Sequence, residues 1–200
     1  IRIYICSMKL FYSNLKITDI IHNDLECYAE TGYGGKDIKK WPFYTFIKEW
    51  INGNCEQARS LWVDWLVNEF FKYCLVAKSK GGMYQGSVHH YAINFVTKNK
   101  NELWLNPSSI CKIFVRKGAE VLVNRRIEMI RSIVNNGYQI NLKDPIYAVK
   151  EKNLYMLKGG HHRATVMYIL GHERLPGVIV YTRPMWELKK WLTKIKKYLR

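Results

Sequence analysis

Apolar positions recur at helical spacing in the first half of the chain. Phe43, Phe46, Ile47, Trp50 and Ile51 fall on one face of a helix that Trp41-Pro42 is suited to open, because proline lacks a donor that the first helical turn leaves unused anyway. Gly53 ends it. Asn54 followed three residues later by Gln57 resembles a capping box. Ala58, Leu61, Trp62, Trp65, Leu66, Phe70, Phe71 and Cys74 then form a broad stripe, predicting a second helix that pairs with the first as an antiparallel hairpin. At this spacing the tryptophans read as core and not as a stacking surface for bases. Val88 to Val96 predicts a third helix, with His89 and His90 in its first turn. Earlier positions are less regular. Ile3, Ile5, Leu10 and Phe11 fit a strand or a short helix, Asp19 to Tyr28 fits a helix, and Gly32, Gly34 and Gly35 mark a loop.

Beyond a polar stretch at Lys98–Asn101 the pattern changes. Leu103–Leu105 and Ile110–Val115 read as strands around the turn Asn106-Pro107-Ser108-Ser109. Gly118 to Asn136 reads as a helix with Val123, Ile127, Ile130, Ile133 and Val134 on its apolar face and Gly137 as its stop. Pro145–Val149 and Leu154–Leu157 read as strands joined by a tight turn at Glu151-Lys152-Asn153. A helix from the Gly159-Gly160 pair to Gly171 follows, then a strand from Val178 to Tyr181. Pro184 opens a last helix carrying Leu188, Leu192, Ile195 and Leu199 on one face. Lys and Arg fill half of its last twelve positions, which reads as a docked helix with its cations in solvent.

Charge sharpens this picture. The 32 Lys and Arg against 16 Asp and Glu give a net charge of +16, which favours nucleic acid, nucleotide phosphates or another anionic partner. Nearly half of the 200 residues are apolar, enough for a packed core. The five cysteines (Cys6, Cys27, Cys55, Cys74 and Cys111) are odd in number and contain no CxxC pair, so a disulfide framework or zinc site is not expected and a cytoplasmic location is. No apolar run approaches the ~18 residues of a membrane span. The apolar start at Ile1–Leu10 reads as a packed segment rather than a signal peptide.

Two stretches carry candidate chemistry. Ser79–Ser87 has three glycines before a serine, flanked by Lys78 and Lys80, and could present backbone N–H groups to an anion, but it lacks P-loop spacing. The second stretch is Lys158-Gly159-Gly160-His161-His162-Arg163. A helix start offers orphan N–H groups and a partial positive charge, glycines allow close approach, and Arg163 presents a planar fork of donors suited to phosphate. Three cationic or potentially cationic side chains at a positive helix end call for an anion. Neighbouring residues on a helix point about 100° apart, so one histidine and Arg163 are expected to face it.

The run Arg131-Ser132-Ile133-Val134-Asn135-Asn136-Gly137, then Pro145-Ile146-Tyr147-Ala148-Val149, then Leu157 to Ala164, then Leu175-Pro176-Gly177-Val178-Ile179-Val180 resembles the ParB/sulfiredoxin superfamily in order and content. The resemblance implies a small α+β domain whose glycine-basic box holds the phosphates of a nucleotide. His161 stands where sulfiredoxins carry their catalytic cysteine, which argues against sulfinic-acid reduction. Gly159 replaces the acid of the Asp-Gly-His-His-Arg box of free serine kinases. The 19 residues after Tyr181 are too few for the helix-turn-helix of chromosome-partitioning ParB proteins, and no convergent acidic cluster supports a two-metal nuclease site.

These readings combine into one expectation. The fold is α+β: a mainly helical region at 1–100 packed on a ParB-like mixed-sheet domain at 101–183, with a basic helix at 184–200. Gly159, Gly160, His161, His162 and Arg163 are the expected phosphate ligands, with Arg116 and Lys117 reaching the same site. His161, His162, Glu128 and Asp144 are the candidates for acid–base or magnesium work. The expected ligand is ATP, ADP or CTP, with Mg2+ as a companion and no protein-bound structural metal. Phosphotransfer or NTP hydrolysis is the expected chemistry if the protein is an enzyme. DNA binding or nuclease-like action through the basic surface is the alternative.

Overall fold

The computed structural model describes residues 12–22, 37–41, 43–79, 107–141, 143–182, 184, 185 and 188, with residues 72–79 and 107–111 as backbone only. The readings for 1–11, 23–36, 80–106 and the last twelve residues therefore lie outside the described residues. The class is α+β; the described residues form four α-helices and one five-stranded mixed sheet. Two compact units are formed. One contains residues 1–44 and 136–200, and the other residues 45–135.

The helical unit follows the apolar periodicity. Helix α1 (Tyr44–Ile51) ends before Gly53, and α2 (Cys55–Ser79) begins just after Asn54. The Asn54 side-chain amide donates to Glu49 Oε2 at 2.6 Å, and its backbone carbonyl accepts the first helical bond from Ala58. Phe46 of α1 stacks on Trp62 and lies tilted against Trp65, so the predicted hairpin packs through its aromatic faces. Ile47, Trp62 and Val63 are buried there.

Helix α3 (Pro107–Asn136) corrects one reading. Ile110–Val115 is helical and not a strand. The β-branched run suggested a strand locally, yet Val115 is in phase with Ala119, Val123, Ile127 and Ile130, all buried. A helical period sustained over about four turns outweighs a six-residue, mostly apolar run. Pro107 opens the helix, where its missing donor costs nothing.

The sheet has the order β1 (Tyr12–Lys16), β5 (Arg174–Tyr181), β3 (Ile146–Glu151), β4 (Leu154–Leu157), β2 (Ile20–His22). The β1–β5 and β3–β4 pairs are antiparallel, while β3–β5 and β4–β2 are parallel. The interior strands β3 and β5 are apolar in nearly continuous runs because both of their faces are covered. Ile146, Ala148, Val149, Val178 and Ile179 are all buried. Val149, Ile179 and Tyr181 form a cluster that Tyr147 and Met185 complete. Strand β5 starts at Arg174, four residues earlier than the sequence suggested, because Pro176 and Gly177 are tolerated inside it.

The start of the predicted helix at Asp19–Tyr28 is also corrected, its residues 23–28 lying outside the described ones. Ile17–Asp19 is a single 3-10 turn, and Ile20–His22 is the edge strand β2. Its isoleucines fill the core rather than a helical stripe, with Ile20 fully buried. Among the described residues no helix is long and apolar enough to cross a membrane.

Candidate functional site

The glycine-basic box lies where β4 hands over to helix α4 (His161–Ile169). Lys158 N–H donates to the Tyr147 carbonyl at 2.8 Å, which carries the β3–β4 ladder one residue past Leu157. Gly160 then turns the chain with φ 84° and serves as the N-cap. A Cβ at this position would stand 2.6 Å from Ile146 Cγ1 on β3. Both the handedness and the close packing demand glycine here. Nothing lies within 4 Å of a Cβ built on Gly159, so that position is open.

The helix start has no side-chain cap. Its first backbone bond runs from Ala164 N–H to the Gly160 carbonyl at 3.0 Å. The N–H groups of His161, His162 and Arg163 precede that bond, in the first turn of the helix. Thr165, fully buried, returns its hydroxyl to the His161 carbonyl at 3.0 Å.

The three side chains of the first turn diverge, as a helical rotation of about 100° per residue requires. His161 meets Trp41 edge-on, with ring centroids 5.8 Å apart. His162 stacks on Phe43 at 4.0 Å and 24°. Trp41 is 1% exposed and Phe43 6%. Both belong to a short segment that a 3-10 turn at Ile38–Lys40 feeds toward α1, with Asp37 Oδ1 accepting from Lys39 N–H at its start. Tyr44, the next aromatic of that segment, lies 6.3 Å from Tyr168 at the far end of α4.

Arg163 turns the other way. Its Nη1 donates to the Asp144 carbonyl at 2.6 Å, and its Nη2 lies 3.3 Å from Asp144 Oδ2. The guanidinium side is 13% exposed and the carboxylate side 76%. Asp144 is held by a turn in which Asn141 Oδ1 accepts from Lys143 N–H at 2.9 Å. Tyr138 sits close enough to feel both charges. Burial pushes its phenol above the ordinary tyrosine value, Arg163 partly offsets that, and Asp144 adds to it.

The structure thus brings Gly159, Gly160, His161, His162, Arg163 and Asp144 together in one unit. Arg116, Lys117 and Glu128 are on α3 and belong to the helical unit. Arg116 is mid-helix rather than after a strand, and pairs with Asp64 at 2.5 Å and Glu120 at 3.6 Å. Lys117 lies over the Phe114 ring at 5.9 Å. Glu128 borders a cleft with Arg59, Arg131 and Trp50, where Arg131 stands 5.3 Å over the indole. Among the described residues no group of three or more His, Cys, Asp or Glu is placed to hold a metal ion. Sequence reasoning had Trp41 and Phe43 only as a helix start, and did not single out Tyr138. Nothing local to Trp41 and Phe43 signals partners more than a hundred residues away, and nothing local to Tyr138 signals Arg163.

Comparison of the chain with protein-family models, with curated proteins and with solved structures found no match.

Proposed function

We propose that the protein is ParB-like and binds a nucleotide or another phosphate ligand at the N-terminus of α4. The observation that carries this reading is the left-handed glycine turn at Gly160 that opens α4 directly onto His161-His162-Arg163, placing a helix N-terminus and its partial positive charge at the box. The open surroundings of Gly159 let a ligand approach, and Lys158 adds a cation beside it. The ordered resemblance of residues 131–180 to the ParB/sulfiredoxin superfamily supports the same site. ATP, ADP and CTP are the candidate ligands, with Mg2+ as a companion, in a cytoplasmic setting. Backbone donors carry the recognition. The histidine rings, set against Trp41 and Phe43, and Arg163, tied to Asp144, fix the shape of the first turn around it. Any phosphotransfer or hydrolysis would draw on Asp144, the acid beside the box.

A thermal-shift series with phosphate, ATP, ADP and CTP, each with and without Mg2+, tests the site. A ligand bound by the native state alone must raise the melting temperature. We expect a rise with at least one nucleotide, lost in Gly159→Leu, His162→Ala and Arg163→Ala. Gly159→Leu is the cleanest of these, because it fills the approach without disturbing a packed side chain. A flat response to every ligand would remove the proposal.

The net charge of +16 favours DNA as the alternative partner. Lys112, Lys117, Arg125 and Arg131 are exposed along α3. On that reading, mobility shift with single- or double-stranded DNA weakens steeply as salt rises. Absence of a shift at low salt rules it out.

A further inference from the structure

The far end of α4 carries a second candidate, separate from the box. A cavity of about 560 Å3 opens between the 3-10 turn after β1 and the link from α4 to β5. Lys16, Thr18, Tyr168, His172, Glu173 and Arg174 line it. Its volume is within the ~300–1,000 Å3 range of small-molecule sites.

Two features set its charges apart from ordinary surface cations. Lys16 and Arg174 are directly opposite each other in the antiparallel β1–β5 pair, so their side chains leave the sheet on one face. Like charges in that relation repel. Arg174 Nη1 donates to the Asn14 carbonyl at 2.9 Å. Among the described residues neither Lys16 nor Arg174 is in an ion pair.

Cations near a helix C-terminus ordinarily serve its unsatisfied carbonyls, but here the backbone has already done so. His172 N–H donates to the Met167 carbonyl at 3.0 Å and Gly171 N–H to that of Tyr168 at 3.1 Å, a Schellman closure. Leu170 N–H donates to Val166 at 3.0 Å. The Glu173 carbonyl is likewise taken, by Ile17 N–H at 2.9 Å. Lys16 and Arg174 therefore line a cavity whose backbone polar groups are largely satisfied, with one guanidinium nitrogen of Arg174 given to the Asn14 carbonyl and the rest of the group available. Glu173 contributes one carboxylate against these two cations, His172 adds a side-chain donor, and Thr18, whose hydroxyl donates to Asp19 Oδ1 at 3.3 Å, adds an acceptor. Tyr168 supplies an aromatic wall whose ring is packed against Tyr44.

We propose that this cavity binds a small organic anion, a phosphate or carboxylate attached to a flat ring. The anion lies between Lys16 and Arg174, relieving their repulsion, and the ring lies on Tyr168. The site is independent of the box at the other end of the helix.

Phenyl phosphate and inorganic phosphate are the probes, titrated calorimetrically into the full chain carrying Gly159→Leu, so that the box does not contribute. We expect phenyl phosphate to bind more tightly than phosphate. Lys16→Gln and Arg174→Gln should each lower its affinity tenfold or more, and Tyr168→Leu should cancel the advantage of the ring. Lys16→Gln should also raise the melting temperature of the ligand-free protein, since it removes a repulsion at an exposed position. Should Arg174→Gln fail to fold, Lys16→Gln decides alone. Absence of phenyl phosphate binding, equal affinity in Lys16→Gln, or a lowered melting temperature in that variant overturns the proposal.

Discussion

The two ends of helix α4 solve opposite problems. At the N-terminal end the helix starts on a glycine with no side-chain cap, and the side chains are engaged: His161 with Trp41, His162 with Phe43, Arg163 with Asp144. At the C-terminal end the backbone is closed by its own turn, while Lys16 and Arg174 face a cavity. A row of basic residues therefore does not by itself mark an anion site. What matters is whether each charge already has an answer inside the protein. By that measure the side chains of the box are already engaged, whereas among the described residues Lys16 and Arg174 have no carboxylate partner, Arg174 being held by the Asn14 carbonyl alone.

The comparison breaks most easily at Gly160. Replacing it with alanine forces a left-handed conformation on a residue with a Cβ, about 1–2 kcal/mol, and drives that Cβ into Ile146, about 1–3 kcal/mol more. Urea unfolding should show a loss of about 2–5 kcal/mol. A loss below 1 kcal/mol would mean that the helix start is not locked to β3. Gly171 at the other end has φ 81° but nothing within 4 Å of a Cβ. Alanine there should cost about 1–2 kcal/mol, the conformational part alone. Equal losses at the two glycines would abolish the contrast in packing between the ends.

The smallest effect is a pH dependence to which the N-terminal end contributes through Tyr138. The Tyr138 phenol titrates above its ordinary value when folded, because burial disfavours the phenolate. The folded state then holds its proton longer than the unfolded state does. The resulting stability is complete below pH ~10, the unfolded value, and is lost as pH rises through the folded value. Tyr181, raised by burial and by Tyr147, acts in the same direction. Tyr138→Phe should flatten part of the decline in melting temperature between neutral and strongly alkaline pH. An unchanged slope would show that Tyr138 does not report on the Arg163–Asp144 pair.

Much of the sheet unit was legible in the sequence because its signals are local. Pro145 leading into Ile146–Val149, the turn at Lys152 and the glycines on either side of α4 each determine structure within a few residues. Two kinds of error have physical causes. Ile110–Val115 looked like a strand because β-branched residues favour extended backbone, and only its phase with Val123 and Ile127 shows the helix. Ile20–His22 is a strand because β4 is there to pair with it, a fact no window around residue 20 contains. The box was legible as a motif, but its partners were not. Trp41 and Phe43 reach the histidines across more than a hundred residues, and an aromatic residue carries no sign of which ring it will meet.

The strand pairing has a consequence for how the chain comes off the ribosome. Strand β1 is a sheet edge whose described neighbour is β5, and the Asn14–Arg174 bond spans 160 positions. During synthesis β1 must wait until residues 174–181 emerge, while the helical residues 45–135, complete much earlier, are free to fold first. Until then Leu15 remains without its partner Leu175, and a pause before residue 174 prolongs the interval in which a chaperone would find it.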